Sequence, residues 1–112
     1  MRLFKGKSGE KKAAEFLKKN GYSILQMNYR SKTGEIDIIA EKDNVVVFVE
    51  VKTRTTDKYG SGFEAVGHTK QGKIARTAEA YIIENKIEKL CRFDVISIDK
   101  EEITHIISAF GV

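Results

Sequence analysis

Cysteine is scarce in this chain, with one residue, Cys91, among 112. A single cysteine cannot form an internal disulfide, and this scarcity indicates a reducing, cytoplasmic location. Cys91 also has no second cysteine or histidine at the spacing of a zinc finger, so we do not expect it to bind a metal. We expect a small, buried apolar side chain rather than a nucleophile.

Long apolar runs are also missing. The longest begins at Val45 and is far shorter than the roughly 20 residues that span a bilayer. The first residues contain no apolar segment of the kind found in secretory signals. The sequence therefore predicts no membrane association, which agrees with a cytoplasmic protein.

Composition and length are those of an ordinary globular domain. Hydrophobic residues make up 41% and charged residues 32% of the chain, and neither a repeat nor a low-complexity tract interrupts them. A chain of this length predicts one domain, residues 1–112, with a core of modest size.

Basic residues exceed acidic ones, with a formal net charge of +4, and they fall into two groups, one in the first third and one between positions 52 and 76. Such groups can contact nucleic-acid phosphates, although a solvated lysine-rich surface explains them equally well. The candidate phosphate contacts are Lys11, Lys12, Arg54, Lys70 and Lys73.

Hydrophobic spacing predicts helices and strands in the order αβββαββ, which indicates an α/β domain with a mixed sheet flanked by helices. The predicted helices run from Ser8 to about Asn20, ended by Gly21, and from Lys70 to about Lys86. The predicted strands are Tyr22 to Tyr29, Gly34 to Ala40, Val45 to Val51, Phe93 to Ile98 and Ile103 to Ile107, with a loop from Thr55 to His68.

Two details of these elements can be checked. In the first strand, Leu25, Met27 and Tyr29 alternate, so we expect them on one face. In the second helix, Tyr81 lies on the apolar stripe and should be part of the core.

The second and third strands form a hairpin whose turn fixes which residues face each other. Asp43 and Asn44 both tolerate a positive φ, as a two-residue hairpin turn requires. The resulting register sets Asp37 opposite Glu50, with Cβ atoms roughly 5 Å apart. Because like charges in that arrangement are destabilising, the sequence predicts a cation between the two carboxylates.

Lys52 lies on the same face as Glu50, about 7 Å further along the strand. Apolar residues share this face, and buried charges need partners or a metal. We therefore predict that Asp37 and Glu50 bind Mg²⁺ or Mn²⁺, whose bound water attacks a phosphodiester while Lys52 orients that water or offsets charge. The alternative is an amphipathic hairpin with a solvated Glu–Lys pair.

An aspartate, a hairpin and then Glu50-Val51-Lys52 resemble the PD-(D/E)xK nuclease signature, with Ile36 where the superfamily name has proline. The stretch from Gly34 to Arg54 resembles more closely the YraN-like family of small bacterial proteins, which is similar to archaeal Holliday junction resolvases. The resemblance extends to Gly9-Glu10, Ala13, Ala14 and Arg92-Phe93-Asp94-Val95.

This resemblance implies a restriction-endonuclease-like fold and a metal-dependent endonuclease acting on DNA, including branched or structured DNA. It makes Glu10 a third metal ligand, although a glutamate in a first helical turn is also favoured by the helix dipole. Resolvases that cut paired strands work as two-fold dimers, so it also implies a homodimer.

Two other functions remain open: a nucleic-acid-binding module on the same fold with little or no cleavage, and a scaffold for a protein partner. Among the remaining polar residues, Glu35 is predicted opposite Lys52 and can pair with it. Arg92 and Asp94 are expected to form a structural pair, and His105 has no expected acidic partner.

Overall fold

The computed structural model describes the backbone of residues 2–54 and 66–111 and the side chains of residues 8–53 and 66–111. Most of the predicted loop from Thr55 to His68 lies outside the described residues. The elements follow the predicted order αβββαββ. They are α1 (Arg2–Lys19), β1 (Ser23–Ser31), β2 (Gly34–Lys42), β3 (Val45–Arg54), α2 (His68–Glu84), β4 (Leu90–Asp99) and β5 (Glu102–Phe110).

The strands form one five-stranded sheet in the order β1-β2-β3-β4-β5. Its neighbours pair antiparallel except β3 and β4, which are parallel. A parallel pair needs a crossover, and α2 supplies it between these two strands. The predicted mixed α/β sheet is confirmed.

The first helix begins at Arg2, six residues before the predicted start at Ser8. That prediction was wrong because no proline precedes Ser8 and Gly6 alone does not end the helix, so the helix continues through the serine. Its end is as predicted: Gly21 has a φ of +91°, the left-handed conformation that glycine adopts without strain.

The predicted β2–β3 hairpin register is confirmed. Asp43 and Asn44 have φ values of 52° and 66°, the left-handed pair that a tight hairpin turn of this length favours. Backbone pairing runs from Lys42 opposite Val45 to Ile38 opposite Val49. The turn residues thus determine which side chains of the two strands share a face.

The predicted alternation of Leu25, Met27 and Tyr29 on one face of β1 is wrong. The pairing of β1 with β2 shifts between Ile24 and Gln26, and Asn28 has a left-handed φ of 51°. Leu25 is 40% exposed, while Met27 and Tyr29 pack into different cores. A bulged strand loses the period of two on which the prediction rested.

A hydrophobic core lies on each face of the sheet. The first packs Ala13 and Leu17 of α1 against β2, β3 and β4, and the second packs Ile74, Ala78 and Tyr81 of α2 against β2 and β3. Tyr81 is buried, as predicted. Fully burying a large apolar side chain stabilises a fold by about 1.5–3 kcal/mol, so both helices are firmly docked.

Two observations concern expectations about surface and membrane. Cys91 is exposed, so the prediction of a buried cysteine was wrong: it lies near the start of β4, before the buried part of that strand. Among the residues that the structure describes, no helix is both long and apolar enough to cross a bilayer.

Candidate functional site

A cavity of about 420 Å³ lies where β2 and β3 pass beneath the start of α2. It is notable for the charged side chains that converge on it from three elements. Its lining consists of Gly34, Glu35, Asp37, Glu50, Thr69, Lys70, Lys73 and Ile74.

Asp37 lies where the backbone pairing of β2 and β3 ends. Beyond the pair of Ile38 and Val49, the side chain of Asp37 replaces a backbone partner: its Oδ2 accepts the N–H of Val51 at 2.8 Å. The carboxylate is therefore directed toward β3 and Glu50, as the predicted register requires.

The environment of Asp37 strongly favours its protonated form. Burial is the largest cause, the charge of Glu50 is the next, and Glu10 and Glu35 add to it, so the pKa rises to about 7 although the Val51 N–H opposes the shift. Lys52 and Lys70 are near enough for the charge of Asp37 to act on them, but they do not offset burial and the three glutamates.

Glu50 has the opposite surroundings. Its side chain is 8% exposed, and one oxygen, Oε2, lies 2.6 Å from Nζ of Lys70 and 4.0 Å from Nζ of Lys52. Two ammonium groups from different elements thus share one carboxylate oxygen. Lys52 pairs with its strand neighbour Glu50, as in the alternative interpretation of the hairpin, but Glu50 is buried and not solvated, and Lys70 joins the pair from the first turn of α2.

The two lysines respond differently to this position. Burial, and then the charge of Lys70, lowers the pKa of Lys52. Burial also opposes the charge of Lys70, but its ion pair with Glu50 outweighs that effect and raises its pKa. Of the two, Lys52 is the side chain that gives up its proton more readily.

Asn28 connects the acids on the two sides of the sheet, and the sequence analysis missed it. Its Nδ2 donates to Glu10 Oε1 at 2.7 Å and to Glu35 Oε2 at 3.2 Å. Glu35 also lies 3.6 Å from Arg30, so the prediction that it pairs with Lys52 was wrong. The one available signal was the residue type, since asparagine tolerates the left-handed backbone found here.

Gly9 lets α1 approach the end of β3. A Cβ at this position would collide with Oγ1 of Thr53, the residue after Lys52. The close approach brings Glu10 near enough for its charge to act on Asp37. A glycine at this position therefore permits the close approach of α1 to β3 and does not form a turn.

The predicted phosphate contacts separate into two surfaces. Lys70 and Lys73 line the cavity, whereas Lys11 lines a groove beside Glu10 and Asn28 on the α1 side, next to the exposed Lys12. The side chain of Arg54 lies outside the described residues. The structure therefore joins Asp37, Glu50, Lys52 and Lys70 in one place and leaves the basic residues of α1 outside it.

The donor set fits a hard divalent cation with two protein ligands. In the described part of the chain, no three or more His, Cys, Asp or Glu side chains are grouped to hold a metal ion. Mg²⁺ commonly uses one or two carboxylates and completes its shell with water and substrate phosphates. Asp37, with its raised pKa, and Glu50 beside it supply two carboxylates of the kind that such an ion uses.

A second buried charge cluster lies on the α1 face, around Asp94. Its carboxylate accepts both Nε and Nη2 of Arg92, at 2.9 and 2.8 Å, and the N–H of Ser108 at 3.0 Å. Nε2 of His105 is 2.7 Å away. The Arg92–Asp94 pair is confirmed, and the prediction that His105 lacks an acidic partner was wrong because the bulged pairing of β4 and β5 brings it there.

These contacts explain why Asp94 stays ionised although it is fully buried. Burial alone would raise its pKa, but the hydrogen bonds from His105, Arg92 and Ser108 outweigh it and lower the pKa. A carboxylate with this many donors is a structural element and has no vacancy for a ligand.

A larger open groove of about 780 Å³ separates α2 from β4 and β5. Its walls are mainly apolar, including Ile82 and the stacked rings of Phe93 and Phe110. Buried charges do not converge there, so size alone does not make it the candidate site.

Comparison with known proteins places the chain in a family. Residues 9–98 match the model of "Uncharacterised protein family UPF0102". A UPF0102 protein of Sulfurihydrogenibium sp. (strain YO3AOP1) is 50% identical over 109 residues, which cover 96% of this chain and 95% of the relative.

Two further relatives agree over similar lengths. A UPF0102 protein of Persephonella marina is 48% identical, covering 96% of this chain and 94% of its own. One of Thermodesulfovibrio yellowstonii is 47% identical, covering 97% of each. The resemblance to the YraN-like family is confirmed at this level, and the chain belongs to the UPF0102 family.

Proposed function

We propose that this protein is a metal-dependent endonuclease that hydrolyses DNA phosphodiesters in the cavity beneath the start of α2. The observation that carries the proposal is the pair Asp37 and Glu50: a half-buried carboxylate with a pKa raised to about 7 beside a buried one. Two acids in such an arrangement gain most from a shared divalent cation.

In this proposal Asp37 and Glu50 hold Mg²⁺ or Mn²⁺, and Glu10 assists from α1 through its charge and its hydrogen bond with Asn28. The bound metal supplies a water of lowered pKa as nucleophile. Lys52, which lies beside Glu50, would orient that water or offset the charge that develops on the phosphate.

The basic residues define how DNA would reach the cavity. Lys70 and Lys73 line it and are placed to contact the phosphates next to the scissile bond. Lys11 and Lys12 would extend the contact along α1, and Arg54 stays a candidate phosphate contact from the sequence. From the resemblance to resolvases, we propose branched DNA as the preferred substrate and a two-fold dimer as the form that cuts it. Both agree with the PD-(D/E)xK signature.

The test combines metal binding and cleavage in Asp37→Asn. Calorimetry with Mn²⁺ should show binding by the wild type and its loss in the variant, and cleavage should fall by at least about 100-fold. Single-stranded, duplex, flap and four-way substrates define the preference. Asp43→Asn is the matched control, because it makes the same change in the exposed turn of the same hairpin.

Equal metal binding and equal cleavage by the wild type and Asp37→Asn would contradict the proposal. Cleavage lost in Asp43→Asn as well would point to the hairpin's folding instead of the site. With both variants, loss of function is separated from loss of structure.

A nucleic-acid-binding module without cleavage is the second candidate. It is favoured by one observation: Lys52 and Lys70 already balance the charge of Glu50 without a metal. It predicts no cleavage but DNA retention that falls steeply with salt, by a log–log slope of about −0.9 for each phosphate contacted. If the protein neither cleaves nor retains DNA, a scaffold for a protein partner is the remaining function.

A further inference from the structure

Lys70 occupies a position that a helix ordinarily disfavours for a cation. It lies in the first turn of α2, which contains no acidic residue, and the helix dipole is positive at that end. Its side chain is 47% exposed, yet Nζ lies 2.6 Å from Oε2 of Glu50, whose side chain is 8% exposed. The buried carboxylate therefore holds a lysine that would otherwise extend into solvent.

The carboxylate that Lys70 contacts is the one that would also coordinate the metal. A cation shared by Asp37 and Glu50 must be coordinated by Glu50, but Oε2 already faces Lys70 and, at 4.0 Å, Lys52. Lys52 is 25% exposed and lies on the same strand as Glu50. Lys70 belongs to another element and is nearly half exposed, so it is the lysine that can leave.

We propose that Lys70 is an internal counter-ion that neutralises Glu50 until a divalent cation binds, and that it then transfers to a phosphate of the DNA. The inference rests on the proposed function, since it presumes a metal at Asp37 and Glu50. It adds to that function a coupling: one side chain competes with the metal and assists the nucleic acid.

The coupling acts in both directions. Metal binding releases Lys70 for a phosphate, and a phosphate that takes Lys70 exposes Glu50 to the metal. By linkage, each ligand must raise the affinity for the other by the same factor. The charged cavity would thus fill with metal mainly when DNA is present.

The first measurement is Mn²⁺ calorimetry on the free protein, comparing wild type, Lys70→Met and Lys73→Met. Lys73 lines the same cavity but is not one of the two lysines on Glu50, so its variant reports the general effect of removing a positive charge. Lys70→Met should bind Mn²⁺ about two- to fivefold more tightly than the wild type, the factor by which an ion pair of this exposure competes. The gain should exceed that of Lys73→Met.

The second measurement is duplex DNA affinity with and without Ca²⁺, an ion that occupies oxygen sites, on the same three proteins. The wild type should gain affinity when Ca²⁺ is added. Part of this increase in DNA affinity comes from direct attraction between metal and phosphate, and Lys70→Met should keep that part but lose most of the rest. Lys73→Met should show the same increase as the wild type. A general loss of positive charge would lower affinity with and without Ca²⁺ alike.

Each outcome decides the matter. Equal tightening of Mn²⁺ binding in Lys70→Met and Lys73→Met would overturn the counter-ion role, as would an unchanged Ca²⁺ effect in Lys70→Met. If Asp37→Asn abolishes Mn²⁺ binding while Lys70→Met leaves it unaltered, the metal site stands and only this inference falls. If neither the wild type nor Lys70→Met binds Mn²⁺, both fail together.

Discussion

Asp37 and Asp94 flank the central strand β3 from either side, one on β2 and the other on β4. Asp94 is fully buried and Asp37 is half-buried, and for both burial alone would raise the pKa. Yet the pKa of Asp94 is lowered, while that of Asp37 rises to about 7. The neighbours account for the difference.

Asp94 is surrounded by donors, from a bidentate arginine to a backbone N–H, whereas Asp37 accepts one N–H from Val51 and faces three glutamates. The fold therefore gives Asp94 enough donors to outweigh burial, whereas Lys52 and Lys70 near Asp37 do not outweigh burial and the glutamates there. Burial identifies neither as functional; the sign of the surrounding charge distinguishes a structural acid from a candidate ligand.

The largest loss of stability is expected when Asp94 loses its charge. Asp94→Asn removes the charge that balances Arg92 and leaves that guanidinium and His105 without an anion. We expect a loss of about 3–5 kcal/mol in the free energy of unfolding, the usual cost of breaking a buried ion pair from one side. Urea denaturation at pH 7 measures it.

Asp43→Asn, in the exposed turn, serves as its control and should stay within about 0.5 kcal/mol of the wild type. A loss at Asp94 no larger than that of the control would mean that the network contributes little. The assignment of a structural role to Asp94 would then be wrong.

Asp37→Asn should do the reverse and stabilise the protein without metal. The folded pKa of about 7 exceeds the ordinary value of 3.8, so the wild type loses stability as pH rises between these values. Asparagine does not titrate, and its amide oxygen can still accept the Val51 N–H. We expect a gain of roughly 2–4 kcal/mol at pH 8 that shrinks toward zero near pH 4.

Urea denaturation across this pH range checks the prediction, with EDTA present throughout. A difference between Asp37→Asn and wild type that does not vary with pH would contradict it. A stabilising change that also abolishes metal binding would be the trade-off expected of a functional acid.

The smallest expected effect is the change in the pKa of Asp37 when Glu10 loses its charge. Glu10 is a lesser cause of its raised pKa than burial or Glu50. Glu10→Gln keeps the acceptor for Asn28 but removes the charge, so the pKa of Asp37 should fall by a few tenths of a unit. Titration of the Asp37 carboxyl carbon by NMR measures it, with Glu15→Gln, further along the same helix, as the control. A fall of equal size in both variants would show that Glu10 acts only through net charge.

The part of the site that local chemistry determines was predictable. Asp43 and Asn44 set the hairpin register, and the register brings Asp37 to Glu50 with Lys52 beside them. The order of elements was equally accessible, because hydrophobic periodicity and glycines mark where each begins and ends. These features depend on residues close together in the sequence.

What escaped prediction depends on how distant elements meet. Lys70 reaches Glu50 because α2 crosses above the sheet, and His105 reaches Asp94 through a bulge in the pairing of β4 with β5. Asn28 adopts a left-handed backbone inside a strand, which its sequence pattern does not signal. Contacts of this kind follow from packing angles and bulges that one sequence does not specify.

The two-residue turn at Asp43 and Asn44 has a consequence for how the gene can change. Side chains on a strand alternate between faces, so inserting or deleting one codon here would slip the register and send Glu50 toward the core on the α1 face. Substitutions that keep a positive φ would be tolerated, but a change in length would not. The length of this turn is therefore constrained by the position of a charged side chain at the opposite end of the hairpin.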